Sequence, residues 1–137
     1  MSNQQSTSNR KLIWGVLSLT GLIYVLVLNF ITSNSESSSY NGFDPSLRPI
    51  LQLVSFMIII VALIISTFII KIKYPSGLDF GKTLIILVIF ESAQIFAFFS
   101  GYNYREMLEV EYFLIFLPIP FMLYYTFKWT TMTNSNE

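Results

Sequence analysis

The chain has 137 residues; 53% are hydrophobic, only 12% are charged, and its 8 basic and 8 acidic side chains leave no net charge. Soluble domains carry about 25% charged residues, so most of this surface meets something other than water, in line with a mean hydropathy of +0.60. With no Cys and no His, disulfides, thiol chemistry, His-ligated haem, Cys-held iron–sulfur clusters, ordinary zinc sites and His-assisted nucleophiles are excluded; no metal and no cofactor is expected, and the lack of basic excess argues against nucleic acid.

An α-helix needs about 20 apolar residues to cross a hydrocarbon core of about 30 Å. Residues 1–9 are polar and read as a disordered tail, followed by Arg10 and Lys11 and a first span over Leu12–Ile31. A secretory signal ending near Ser33 or Ser35 is the rival reading of this segment, although its apolar stretch of about 20 residues exceeds the usual 7–15. Thr32 to Arg48 forms a polar connection with turn signals at Asn41-Gly42 and Asp44-Pro45. It reads as a solvated linker in preference to a binding loop.

The second span covers Leu51–Ile70 and the third Thr83–Gly101, separated by a loop carrying Lys71, Lys73 and Lys82. Next come Glu106, Glu109 and Glu111, which read as the solvated start of a helix in preference to a divalent-cation site. The fourth span, about Tyr112–Phe127, contains Pro118 and Pro120, which predict a helix break. Residues 131–137 read as a second disordered tail. No segment alternates polar and apolar residues as barrel strands do.

Arg10, Lys11, Lys71, Lys73, Lys82 and Lys128 fall on one side of these spans, against Arg48 and Arg105 on the other. The positive-inside rule then places both termini in the cytoplasm. The expected fold is an all-α membrane protein: one domain over 1–137, a four-transmembrane-helix bundle, multi-pass in the inner (cell) membrane. Trp14, Tyr74, Phe80, Tyr102, Tyr104, Tyr112, Tyr124, Tyr125 and Trp129 are placed to mark the interfaces.

Glu91 is the ninth residue of the nineteen in the third span and so sits near mid-membrane. An ionised side chain there costs about 2.5–3.5 kcal/mol on insertion scales, which makes it a functional candidate by default. Gln94, Ile95 and Phe98 share its helix face. A carboxyl and a carboxamide one turn apart can hydrogen-bond each other or jointly hold a small cation. Ala93, Ala97 and Gly101 form a small-residue face on roughly the opposite side, suited to close helix packing. Pro118 and Pro120 free the carbonyls of Leu114 and Phe116. A protonated Glu91 or the Gln94 amide could donate to these, with Thr20 and Ser18 on the first span as alternative donors.

The unit formed by the second span, the loop Lys71-Ile72-Lys73-Tyr74-Pro75-Ser76-Gly77-Leu78-Asp79 and the stretch Phe90-Glu91-Ser92-Ala93-Gln94-Ile95-Phe96 resembles the hairpin of rotary ATPase proteolipids, the subunit c family. The resemblance covers residues 51–101 and implies that Glu91 is an ion carrier supported by Ser92 and Gln94, with the loop on the cytoplasmic side. The whole chain resembles small, uncharacterised four-span bacterial membrane proteins with a similar Glu-containing third helix.

Two functions remain open from sequence. One is a non-enzymatic assembly or accessory component that packs in the lipid bilayer against itself or a larger membrane complex. The other is a proton- or sodium-handling subunit or small carrier that uses Glu91. No enzyme activity is expected.

Overall fold

The computed structural model describes residues 2–34, 44–73, 80–104 and 107–125, and among these it is helical with no strand. Helix α1 spans Ser2–Asn34 and α2 spans Leu47–Ile64. A π-helical turn, Ile65–Ile69, leads from α2 into the short α3, Ile70–Lys73. Helix α4 covers Phe80–Asn103 and α5 covers Glu109–Phe116. Among the described residues three stretches are long and apolar enough to cross a membrane: Lys11–Asn34, Leu47–Ile69 and Gly81–Asn103.

The N-terminal tail expected over 1–9 is instead helical from Ser2 onward. Once an apolar helix is nucleated, each added residue gains a hydrogen bond at little further cost, and the polar residues ahead of Arg10 contain no Gly or Pro to stop it. The second expected tail, 131–137, lies outside the described residues, as do Asn41-Gly42, Arg105 and Glu106.

The Asp44-Pro45 turn forms and starts α2. Asp44 Oδ1 accepts the Ser46 N–H at 2.9 Å, and the Asp44 carbonyl accepts the Leu47 N–H at 2.9 Å. Pro49 then falls in the first turn, where a missing N–H costs nothing.

The segment expected as a fourth span is helical over Glu109–Phe116 and again over 118–125. Between them Leu117 keeps helical torsions (φ −57°, ψ −43°) and its N–H donates to Phe113 O at 2.9 Å. The two prolines therefore interrupt the hydrogen-bond ladder while the backbone around Leu117 stays helical.

Helix α4 is the hub, packed against α1, α2 and α5; α1 makes its main contacts with α4 and then α5. Trp14, Ala62, Leu87, Phe90, Met122 and Tyr125 make one buried cluster. Leu28, Ile59, Ala93, Ala97, Leu114 and Ile115 make the second. Trp14 and Tyr125 are buried against neighbouring helices. Tyr125 is engaged there, its hydroxyl 2.8 Å from that of Thr67. Outward-facing positions are large and apolar, among them Leu12, Leu26, Phe30, Phe68 and Ile85. A surface of this kind suits a lipid environment, because in water each such side chain forgoes about 25 cal/mol per Å² of burial.

Candidate functional site

Glu91 sits midway along α4, partly buried. Its Oε1 accepts a hydrogen bond from the Tyr24 hydroxyl of α1 at 2.7 Å, and the Tyr24 ring lies 5.2 Å from that of Phe98. Its Oε2 is buried with no hydrogen-bond partner among the described residues. One turn further on, Gln94 is fully buried. Its Nε2 donates to the Ile115 carbonyl of α5 at 2.8 Å, while its Oε1 is buried without a partner among the described residues. Ile95, expected on the same face, is 48% exposed, so Glu91 borders the outer seam between α1 and α4.

Local sequence explains why Gln94 fits. A Cβ built on Gly21 would lie 2.4 Å from Gln94 Nε2 and 3.2 Å from Ile119 Cδ1, so only glycine at this point of α1 lets the amide pass. The amide reaches the proline-interrupted helix, as the freed carbonyls there led one to expect. Its acceptor is Ile115, however, which lies between the anticipated Leu114 and Phe116. Glu91 does not donate there; it accepts from Tyr24.

The alternative donors are also otherwise engaged. Ser18 Oγ donates to Trp14 O at 2.8 Å and Thr20 Oγ1 to Val16 O at 3.2 Å, both within α1. Ser92, the third member of the expected ion site, donates to Val88 O of its own helix at 2.8 Å.

The small-residue face is fully used. Ala93, Ala97 and Gly101 are buried. Ser55 Oγ of α2 donates to the Ala93 carbonyl at 2.8 Å, an approach that a larger residue at Ala93 would obstruct. Gly101 lies under Leu28 of α1, whose Cδ1 would stand 3.0 Å from an added Cβ.

A second polar centre was not anticipated. Glu111, expected at a solvated helix start, is fully buried, whereas Glu109 is exposed as expected. Glu111 Oε1 accepts from Arg48 Nε at 2.9 Å, Gln52 Nε2 at 2.8 Å and Ser100 Oγ at 2.9 Å. Its Oε2 accepts from the Arg48 NH2 group at 3.1 Å. That NH2 group also donates to the Met107 carbonyl at 2.9 Å, where the chain turns through the left-handed region (φ 51°). The guanidinium stands 5.8 Å from the centroid of the Tyr104 ring. Burial alone pushes the Glu111 carboxyl up, but the donors Arg48, Gln52 and Ser100 outweigh it and hold the group below the usual carboxylate range.

The residues thus tie α1 to α4 and α4 to α5 at mid-depth, and α2, α4 and α5 at one rim. Two of the engaged side chains that were not anticipated, Tyr24 and Arg48, carry a signal in the sequence. A tyrosine in the middle of an apolar span, away from the interface where tyrosines usually sit, needs a partner for its hydroxyl; Tyr24 carries that signal. Arg48, one of two basic residues on the same side as Glu106, Glu109 and Glu111, is a weaker one. Among the described residues no three acidic side chains converge as a metal site would require.

Comparison with protein-family models, with curated proteins and with solved structures returned no significant match.

Proposed function

We propose that the chain is a small, non-enzymatic integral membrane protein of the inner membrane: a four-span bundle, both termini cytoplasmic, serving as an assembly or accessory component that packs with itself or within a larger membrane complex. The observation that carries this reading is the Tyr24–Glu91 hydrogen bond, which engages the mid-membrane carboxyl in holding α1 against α4. Polar groups placed between membrane helices commonly act in this way as interhelical ties. The Gln94–Ile115 and Ser55–Ala93 bonds add two more at similar depth.

A second reading, proton or sodium handling by a proteolipid-like subunit or small carrier, is favoured by one specific observation. Glu91 Oε2 and Gln94 Oε1, one turn apart, are both buried acceptors without donors, and a proton or a small cation supplies what they lack. Residues 54–65 of the second span hold one Ala and no Gly, so the tightly packed ring of the proteolipids is not part of this reading.

Carbodiimide labelling of the chain in liposomes separates the two. The assembly reading expects weak, pH-independent labelling of Glu91, together with lower unfolding temperatures for Tyr24→Phe and Glu91→Gln. Ion handling expects strong labelling that varies with pH, with protection by Na⁺ if sodium is the ligand.

A further inference from the structure

We infer that the two oxygens of Glu91 have separate duties and that Tyr24 is the positioning residue that assigns them: Oε1 is held by the Tyr24 hydroxyl, and Oε2 takes and releases a proton. The inference rests on the second reading above in taking Glu91 as a proton site. It deepens that reading by naming the atom that titrates and the residue that sets its place.

Packing fixes the aim of the Tyr24 hydroxyl. Gly21 lies three residues before Tyr24 on the same face of α1, and its missing Cβ admits the Gln94 side chain of α4, which lets the two helices approach closely. The Tyr24 ring tilts against that of Phe98 at 5.2 Å between centroids. Phe98 is backed in turn by Tyr102, one turn further along α4, at 6.3 Å. From this aromatic column the hydroxyl donates to Glu91 Oε1 at 2.7 Å.

Glu91 Oε2 is the contrasting atom, buried and without a hydrogen-bond partner among the described residues. Charge on it is costly, because no hydrogen bond replaces the water it has lost. A proton removes that charge and needs a single oxygen. The acid so formed has one carbonyl oxygen and one hydroxyl oxygen, and the carbonyl is the better acceptor. With the proton on Oε2, Oε1 is the carbonyl and keeps the Tyr24 bond. With the proton on Oε1, Tyr24 would face the poorer acceptor and the carbonyl would stand unpartnered. On release the Oε2–H bond breaks, its electron pair stays on the carboxylate and the proton leaves for the aqueous phase, while Oε1 still accepts from Tyr24. The tie between α1 and α4 therefore persists in both states, and one side chain can serve both packing and proton exchange.

The titratable and charged groups on the surrounding described elements are few. Helix α1 brings Tyr24, with Lys11 at the start of its apolar stretch. Helix α2 brings Arg48, paired with Glu111 of α5 at the rim, and α3 ends on Lys73. Helix α5 adds Glu109 and Tyr112, 118–125 adds Tyr124 and Tyr125, and α4 itself carries Lys82 and Tyr102. Tyr24 is the hydrogen-bond donor to Glu91.

The test is infrared difference spectroscopy on the full chain in lipid bilayers over a pH series, with Glu91 identified by the band that disappears in Glu91→Gln. The expected result is a protonated-carboxyl carbonyl band that is lost reversibly as the pH rises. In Tyr24→Phe this band should move to higher wavenumber, because a carbonyl that loses its donor stiffens; a purely structural role for Tyr24 would leave it in place. Biosynthetic 3-fluorotyrosine, a stronger donor, should move it to lower wavenumber in the native chain and not in Tyr24→Phe. If Tyr24→Phe does not fold, the fluorotyrosine shift decides alone. A titrating band unmoved by either change overturns the division of the two oxygens while the proton-site reading stands. A band that shifts as expected but persists at every pH sinks proton exchange while the division of the oxygens stands. Glu91 ionised across the whole series overturns both.

Discussion

Arg48 and Glu111 meet in a two-point ion pair, Nε to Oε1 at 2.9 Å and the NH2 group to Oε2 at 3.1 Å. The carboxylate is fully buried while the arginine side chain keeps 22% exposure. This fork geometry is the stronger form of a charge-assisted hydrogen bond. It joins the start of α2 to the start of α5, and Ser100 brings the end of α4 into the same contact. Removing one partner leaves the other charge buried without compensation, which costs about 3–5 kcal/mol. Glu111→Ala should therefore strongly destabilise the bundle in detergent unfolding. The double change Arg48→Met/Glu111→Leu should recover most of that loss, and a double variant as unstable as Glu111→Ala would contradict the ion-pair account.

Acid should undo the same contact. The folded-state pKa of Glu111 lies below its ordinary value of 4.5, because its hydrogen-bond donors outweigh the effect of burial. A lowered folded value means that the carboxylate contributes stability fully above the ordinary value and loses it as the pH falls through the lowered one. Unfolding temperature followed downward from neutral pH should fall below about pH 4.5. In Glu111→Gln this component of the fall should be absent.

The glycines of α1 and α4 make a graded series. Gly21→Ala drives a methyl to 2.4 Å from Gln94 Nε2 and should cost about 1–3 kcal/mol, the range for overpacking a filled core. Gly101→Ala meets the tips of Leu28 and Leu108 at 3.0 to 3.4 Å, where side chains can give way, and should cost less. Gly15 has nothing within 4 Å, so Gly15→Ala should stabilise the helix by about 0.5–1 kcal/mol. Unfolding free energies of the three variants check the order.

The Tyr24–Glu91 tie can be measured without assigning it a function. A double-mutant cycle with Tyr24→Phe and Glu91→Ala should give a coupling energy of about 0.6–1.7 kcal/mol, the average and the upper limit found between membrane helices. Additive single effects would show that the 2.7 Å contact contributes nothing to folding.

Orientation is open to direct labelling because the native chain has no cysteine. Met107 and Ile72 are 80% and 81% exposed, beside α5 and within α3. In intact cells a membrane-impermeant thiol reagent should modify Met107→Cys, and should reach Ile72→Cys only after the membrane is opened. The reverse pattern would invert the proposed topology.

The sequence made the apolar helices and the mid-helix carboxylate plain, because both announce themselves locally: a run of apolar residues for the one, a single charge inside such a run for the other. It was less informative where a residue's role depends on what arrives from elsewhere. Glu111 is indistinguishable from its neighbour Glu109 by type and spacing, yet one is buried and the other exposed, since only the former faces Arg48, Gln52 and Ser100. Tyr24 lies 67 residues before Glu91, a separation at which periodicity carries no signal. Trp14 and Tyr125 pack inward, which their residue type alone does not indicate. The prolines at 118 and 120 are visible as ladder gaps, whereas the persistence of helical torsions at Leu117 depends on packing.

The arrangement around α4 has a consequence for biogenesis. Because α1 makes its main contacts with α4 and α5, it is synthesised before the helices it packs against. The 67 residues between Tyr24 and Glu91, synthesised at about 5–20 residues per second, correspond to a delay of roughly 3–13 s. Throughout that interval the Tyr24 hydroxyl and the close-approach point at Gly21 await Glu91 and Gln94. Helix α1 must therefore survive on its own hydropathy first and acquire its specific neighbours only once α4 has been made.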